Sequence, residues 1–145
     1  MKAWLSLSVA EFAASSARDV AARLAFAQAS RHATLELAQR HAWEAEAVLL
    51  HAALRDADPS WRVLFECDLL RLEKRADVVV VTDRAILVLE FKHGACAFEP
   101  KDLRQAEDYA LDLHDFHAGS RAHPVVPVLV ATAAAPARFD PPLIW

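Results

Sequence analysis

Glycine is nearly missing from this chain: Gly94 and Gly119 are the only two in 145 residues. A Gly-x-x-x-x-Gly-Lys phosphate loop and a Gly-x-Gly-x-x-Gly dinucleotide fingerprint both need closely spaced glycines, so neither is present. A nucleotide-driven motor built on a phosphate loop is thereby excluded from this polypeptide. Cysteine is as scarce. Cys67 and Cys96 are too few and too far apart for a disulfide framework or a zinc site of paired cysteines, and no signal peptide or membrane-length apolar run is visible. These absences point to a reducing cytoplasm and no membrane association. A basic excess is lacking too, because 16 Lys and Arg stand against 20 Asp and Glu, for a net charge of -4. Such a balance argues against gripping nucleic acid by bulk electrostatics. It is compatible with a metal site, whose ligand carboxylates count against the total while the ion supplies local positive charge.

What the chain does have is apolar residues, 55% of the total, enough for one α/β domain with a real core. Residues 8–27 place Val9, Phe12, Val20, Leu24 and Phe26 at roughly helical spacing, with a break near Ser15-Ser16. Residues 34–54 read as a second helix, with Thr34 as N-cap and Trp43 and Leu50 on its buried side. Asp56-Ala57-Asp58-Pro59-Ser60 ends it. A strand follows over residues 61–72, and the charged turn Glu73-Lys74-Arg75 leads into a hairpin. Pro100 fits the first turn of a crossover helix whose apolar stripe is Leu103, Ala106, Ala110 and Leu113, running to about Phe116. Residues 125–131 form the last strand, parallel to the third because a helical crossover joins them. The expected domain is a mixed four-stranded sheet flanked by helices over residues 1–135. The proline-rich tail, residues 136–145, reads as the start of a linker to a further region.

The hairpin, residues 75–92, carries the chemistry. Its strands are Val, Ile and Leu runs without polar alternation, the mark of strands covered on both faces, yet Asp77, Glu90 and Lys92 interrupt them. With Asp83-Arg84 as a two-residue loop, Thr82 faces Ala85 and Asp77 comes opposite Glu90, their Cβ atoms roughly 5 Å apart. Two like charges so placed need a proton or a cation between them, and a divalent metal answers that need. Lys92 points to the same face as Glu90. Magnesium takes oxygen ligands and keeps several waters, so Asp77, Glu90 and the Phe91 carbonyl suffice, with manganese as a substitute. Lys92 then stands beside the nucleophilic water and the phosphate. The alternative is a salt bridge between Lys92 and Glu90 on an edge strand.

Supporting positions lie on the helices. Glu46 shares a stripe with Trp43 and Leu50, which makes it a better further ligand than Glu44; the other reading is a partly exposed acid at a helix edge. Gln105 and Tyr109 share a face that reaches toward Lys92, or Tyr109 simply packs at a helix–sheet boundary. Arg71, Lys74, Arg75, Lys101 and Arg104 are the candidates for backbone phosphates, against an ordinary solvated rim. His114 and His117 have His-x-x-His spacing but no evident third ligand. His93 points away from Lys92 and is left out.

An Asp followed by Glu-x-Lys on the adjacent strand resembles the PD-(D/E)XK nuclease superfamily, with Ala76 where the superfamily proline stands. More closely, Leu35-Glu36-Leu37-Ala38-Gln39 with Ala42-Trp43 and Glu46, the hairpin, and the Gln105-x-x-x-Tyr109 helix resemble the nuclease-like module that precedes a helicase motor in bacterial Schlafen-like DNA/RNA helicase proteins. The resemblance covers residues 8–131. It implies a restriction-endonuclease-like core in which Asp77, Glu90 and Lys92 form the catalytic triad, with Glu46 and Gln105 in support. It further implies a magnesium-dependent hydrolase of DNA phosphodiesters, with RNA as the other substrate and a helicase motor as partner. The motor is not in this chain, and the same fold could serve as a non-catalytic module that binds nucleic acid or docks a helicase. A homodimer is the simplest way to cut both strands together. If the hairpin charges hold a metal, Asp77→Ala retains or gains thermal stability without magnesium and loses the magnesium-induced rise; if they are only structural, the variant unfolds or behaves as wild type with and without the ion.

Overall fold

The computed structural model describes residues 1–31, 37–69 and 74–137. Five strands form one sheet: β1 (Lys2–Ser8), β2 (Arg62–Asp68), β3 (Arg75–Val81), β4 (Ile86–Lys92) and β5 (Val125–Ala131), in the order β1-β2-β3-β4-β5. The first three pairings are antiparallel and β4–β5 is parallel. The α/β class and the parallel last strand agree with the sequence reading, but the sheet has five strands rather than four. The addition is β1, where buried Leu5 and Leu7 alternate with exposed Ser6 and half-buried Ser8, a short period-two signal that adjoins the Ala-rich helical segment.

The helices are α1 (Val9–Ala14), α2 (Ala17–Ala29), α3 (Leu37–Ala53) and α4 (Pro100–Phe116). Ser8 and Glu11 close a reciprocal capping box at the start of α1. The break at Ser15-Ser16 is real: both residues are extended, and the Ser16 side chain caps α2 through the Asp19 N–H. Thr34, Glu36 and Arg71 lie outside the described residues, as does most of the tail. No helix among the described residues is long and apolar enough to cross a membrane.

Helices cover the sheet on both faces. Phe12, Val20, Leu24, Trp43 and Leu50 from α1–α3 pack on Val63, Phe65, Val78, Val80 and Leu89. Tyr109, Ala110 and Leu113 of α4 pack on Val79, Ile86 and Val88 from the other side. This two-sided cover explains the unbroken Val run of β3: each fully buried Val contributes about 1.5–3 kcal/mol on whichever face it lies. Two apolar assignments need correction. Phe26 is 80% exposed, because it is nearly half a turn from Leu24, and both cannot face the sheet. Leu103 falls at the rim of α4, whose buried face is centred one step round on Asp102, Ala106, Tyr109 and Leu113.

Burial pushes the Cys67 thiol up to about 12, whereas Cys96 is exposed. Iodoacetamide at pH 8 should therefore add one carbamidomethyl group to the native protein, at Cys96, and a second only after unfolding, which mass spectrometry reads directly.

Candidate metal and phosphodiester site

Three neighbouring strands reverse their facing at one level. Leu5 and Leu7 face the α1–α3 core, but Ala3 packs with the α4 side; Val63 and Phe65 against Cys67, and Val78 and Val80 against Ala76, repeat the pattern. Residues two apart in a regular strand share a face, so each strand contains one extra reversal, at Trp4, Glu66 and Asp77. Pairing continues on either side of these positions, with Ala3↔Cys67 and Leu5↔Phe65 on one seam and Cys67↔Ala76 and Phe65↔Val78 on the next. The three residues are thus level, and the strands keep register by reversing together. Glu66 has φ 51°, the left-handed region that residues other than glycine seldom occupy. Strand β4 stays regular, with Leu87, Leu89 and Phe91 on the α1–α3 side.

The hairpin register is as expected. Val78↔Leu89 and Val81↔Ile86, carried one step each way, put Asp77 level with Glu90 and Thr82 with Ala85, and the Thr82 N–H donates to the Ala85 carbonyl at 3.0 Å. Asp77 Oδ2 accepts from the Phe91 N–H at 2.7 Å, so its carboxyl lies over the β3–β4 seam. Phe91 meets Asp77 through its N–H; the ligand expected of Phe91 is a different group, its carbonyl.

On the α4 side, Lys92 Nζ donates to Glu90 Oε1 at 3.0 Å and to Gln105 Oε1 at 2.9 Å, and lies 3.7 Å from Asp102 Oδ1. Gln105 Nε2 donates to Glu90 Oε1 and to the Tyr109 hydroxyl, both at 2.8 Å. Gln105 thus reads Lys92 with its oxygen and Glu90 with its nitrogen. Asp102, one turn before Gln105, was not foreseen. Lys74, Lys101, Arg104, Gln105, Asp108 and Tyr109 line an open groove of about 480 Å³ next to this network. The Lys74 ammonium is 5.9 Å from the Tyr109 ring centre.

On the α3 side, Glu46 is buried with Trp43 and Leu50, the stripe expected of it. Its Oε1 is 3.0 Å from His93 Nε2. The alternation that turned His93 away from Lys92 turned it toward Glu46, so the signal for His93 was present. Glu66 was missed: its Oε1 accepts from Trp43 Nε1 at 2.8 Å and its Oε2 lies 3.0 Å from Arg75 Nε. Arg75, placed by the sequence reading on the phosphate rim, has its guanidinium 4.2 Å from the Trp4 ring centre. His114 and His117 turn to different partners, Asp115 and Ser120.

The carboxylates outnumber their counter-ions. Burial, then the charges of Asp77, Glu66 and Glu90, push Glu46 up to about 9. Burial raises Asp77 above the usual carboxylate range despite the Phe91 N–H, and burial and Asp77 raise Glu90 despite Lys92. Glu46 Oε2 and Glu90 Oε2 are buried, and no donor among the described residues reaches them; the Glu90 carboxyl meets that of Asp77, an acid against an acid. Among the described residues no three His, Cys, Asp or Glu side chains stand ready-made to hold an ion. The donor set is nonetheless all hard oxygen with two lone oxygens to spare, which fits magnesium or manganese completed by water.

No protein-family model, curated protein or solved structure matches the chain.

Raised carboxyls make the fold more stable when protonated. Below the ordinary value of 4.5 both folded and unfolded chains hold the Glu46 proton; above it the unfolded chain releases the proton first, so stability falls as pH rises toward about 9. The metal-free protein should melt at lower temperature at pH 8 than at pH 5. Glu46→Gln, which removes the charge and keeps the shape, should raise the pH 8 midpoint by about 5 °C and flatten the profile, as read by circular dichroism.

Proposed function

We propose that the chain is a nuclease domain with a restriction-endonuclease-like core that hydrolyses phosphodiester bonds of DNA using a divalent cation. The observation that carries this reading is the pair of buried carboxyl oxygens, on Glu46 and Glu90, that no donor among the described residues reaches, on two acids that both feel the charge of Asp77. Protons meet part of the cost of burying these acids, on Glu46 and between Glu90 and Asp77, but retaining three of them together is accounted for by a positive ion that belongs there. Asp77 and Glu90 would hold magnesium, with Glu46 as an additional ligand. When bound, the ion polarises the phosphate oxygens and makes water a stronger nucleophile.

The chain's own residues supply the rest. Burial works to lower the Lys92 pKa, but its bond to Glu90 and the charges of Glu90, Asp102 and Asp77 outweigh that and raise it. Lys92 therefore keeps its proton at neutral pH. It serves as a fixed positive charge beside the phosphate rather than as a general base. Gln105 holds the ammonium and Glu90 together and lines the neighbouring groove, where Lys74, Lys101 and Arg104 offer cations to successive backbone phosphates. An overall acidic chain can bind in this way because the contact is a local strip of positive charge.

The test is cleavage of end-labelled single- and double-stranded DNA, with RNA in parallel, in magnesium or manganese. Asp77→Asn is preferable to alanine because its amide oxygen can keep the Phe91 N–H bond. Metal-dependent cutting by wild type, reduced at least about 100-fold in Asp77→Asn and Lys92→Met, is the expected result. A folded wild type that takes up magnesium, binds DNA and cuts neither nucleic acid would instead be a binding or helicase-docking module.

A further inference from the structure

Unlike Glu46 and Glu90, Glu66 has a donor on each oxygen, Trp43 Nε1 and Arg75 Nε, and so has no oxygen left over for an ion. Its partners close a ring. Arg75 lies over Trp4, and Trp4 meets Trp43 edge-on with ring centres 6.3 Å apart. The ring Trp4–Arg75–Glu66–Trp43 takes one residue from each of β1, β3, β2 and α3. We propose that Glu66 is a positioning residue: its ring holds the strand reversal that aims Asp77 over the β3–β4 seam and sets α3 so that Glu46 faces the same point. This inference rests on the nuclease reading above.

The geometry bears on both proposed ligands. Glu66 is level with Asp77 on the adjacent strand, at the step where the β2–β3 pairing skips. Arg75 is two residues before Asp77 and pairs with Asp68, so the Glu66–Arg75 bond runs diagonally over the β2–β3 seam and ties to β3 the β2 residue that the ladder skips. Trp43 is three residues before Glu46, one turn along α3, and its ring is 1% exposed. The left-handed backbone at Glu66 is strained and persists only where the surrounding structure over-determines it. Two short bonds to a buried carboxylate provide that constraint.

The test is manganese binding, read from loss of the free-ion electron paramagnetic resonance signal at a temperature where circular dichroism shows every variant folded. Wild type should bind, and Asp77→Asn should not. Glu66→Gln and Arg75→Met should each weaken binding about 10-fold or more, the usual effect of removing a group that orients a ligand. The double variant Glu66→Gln/Arg75→Gln, which restores an uncharged hydrogen bond between the two positions, should recover part of the loss. Should Glu66→Gln not fold, Glu66→Gly carries the same expectation, since glycine accepts a φ of 51° without strain. Folded Glu66 variants that bind manganese as wild type does, whatever their melting temperature, overturn this inference and leave the nuclease reading standing. A folded wild type that binds no manganese overturns both.

Discussion

Repulsion between carboxylates in a poorly solvated place is the constraint around which this sheet is arranged. Asp77 and Glu90 face each other across a strand seam, and Glu46 and Glu66 reach the same region from a helix and a neighbouring strand. Asp77 raises the proton affinity of the other three, and Glu66 and Glu90 add to that of Glu46. A protein can meet such repulsion with protons, with fixed cations or with a bound ion. This chain uses the first two unevenly. Lys92 neutralises Glu90 and Arg75 neutralises Glu66, while among the described residues Glu46 meets a histidine and no lysine or arginine. The surplus is directed, because the lone oxygens are on Glu46 and Glu90, both of which feel the charge of Asp77.

The sheet is what lets groups from opposite faces meet. Lys92, Gln105 and Asp102 lie on the α4 side, and Glu46, His93 and Trp43 on the α3 side. An unbroken ladder would separate them by its full thickness. At the level of Trp4, Glu66 and Asp77 the alternation reverses in three strands, and the Asp77 carboxyl is turned into the seam to take the Phe91 N–H. Its charge is then felt by Glu46 on one side and by Lys92 and Tyr109 on the other. The reversal costs regular pairing at one row, and the Glu66 ring ties the strands there in its place.

Much of this was legible in the sequence, for identifiable reasons. The hairpin register followed from loop length and a period of two, which leave no freedom once Asp83-Arg84 is the turn. The limits of α4 followed from Pro100 and its stripe, and Glu46 from its spacing to Trp43. Strand β1 was missed because its seven residues adjoin an Ala-rich segment that dominated the helical signal. Glu66 was missed for a deeper reason: strict alternation on β2 puts it opposite Phe65, and no local residue, glycine above all, announces that the backbone turns left-handed there. Its conformation is imposed by Trp43 and Arg75, which are distant in sequence or on another strand. Arg75 was read as a surface cation because its partner was not yet a partner.

The state of Lys92 separates two ways the proposed site could work. A lysine that takes a proton from water must be neutral part of the time, which needs burial without compensating acids. Here three acids surround the ammonium, and their charges outweigh the burial that would release the proton. In the proposed site the proton of the attacking water would then pass to solvent or to the substrate phosphate, and Lys92 would act where negative charge grows. Gln105 fits this division: an amide bridging ammonium and carboxylate fixes both without changing the charge of either. The acids that keep Lys92 protonated include those that would hold the cation, so loading the site would weaken their pull on the lysine and leave its charge freer to face phosphate.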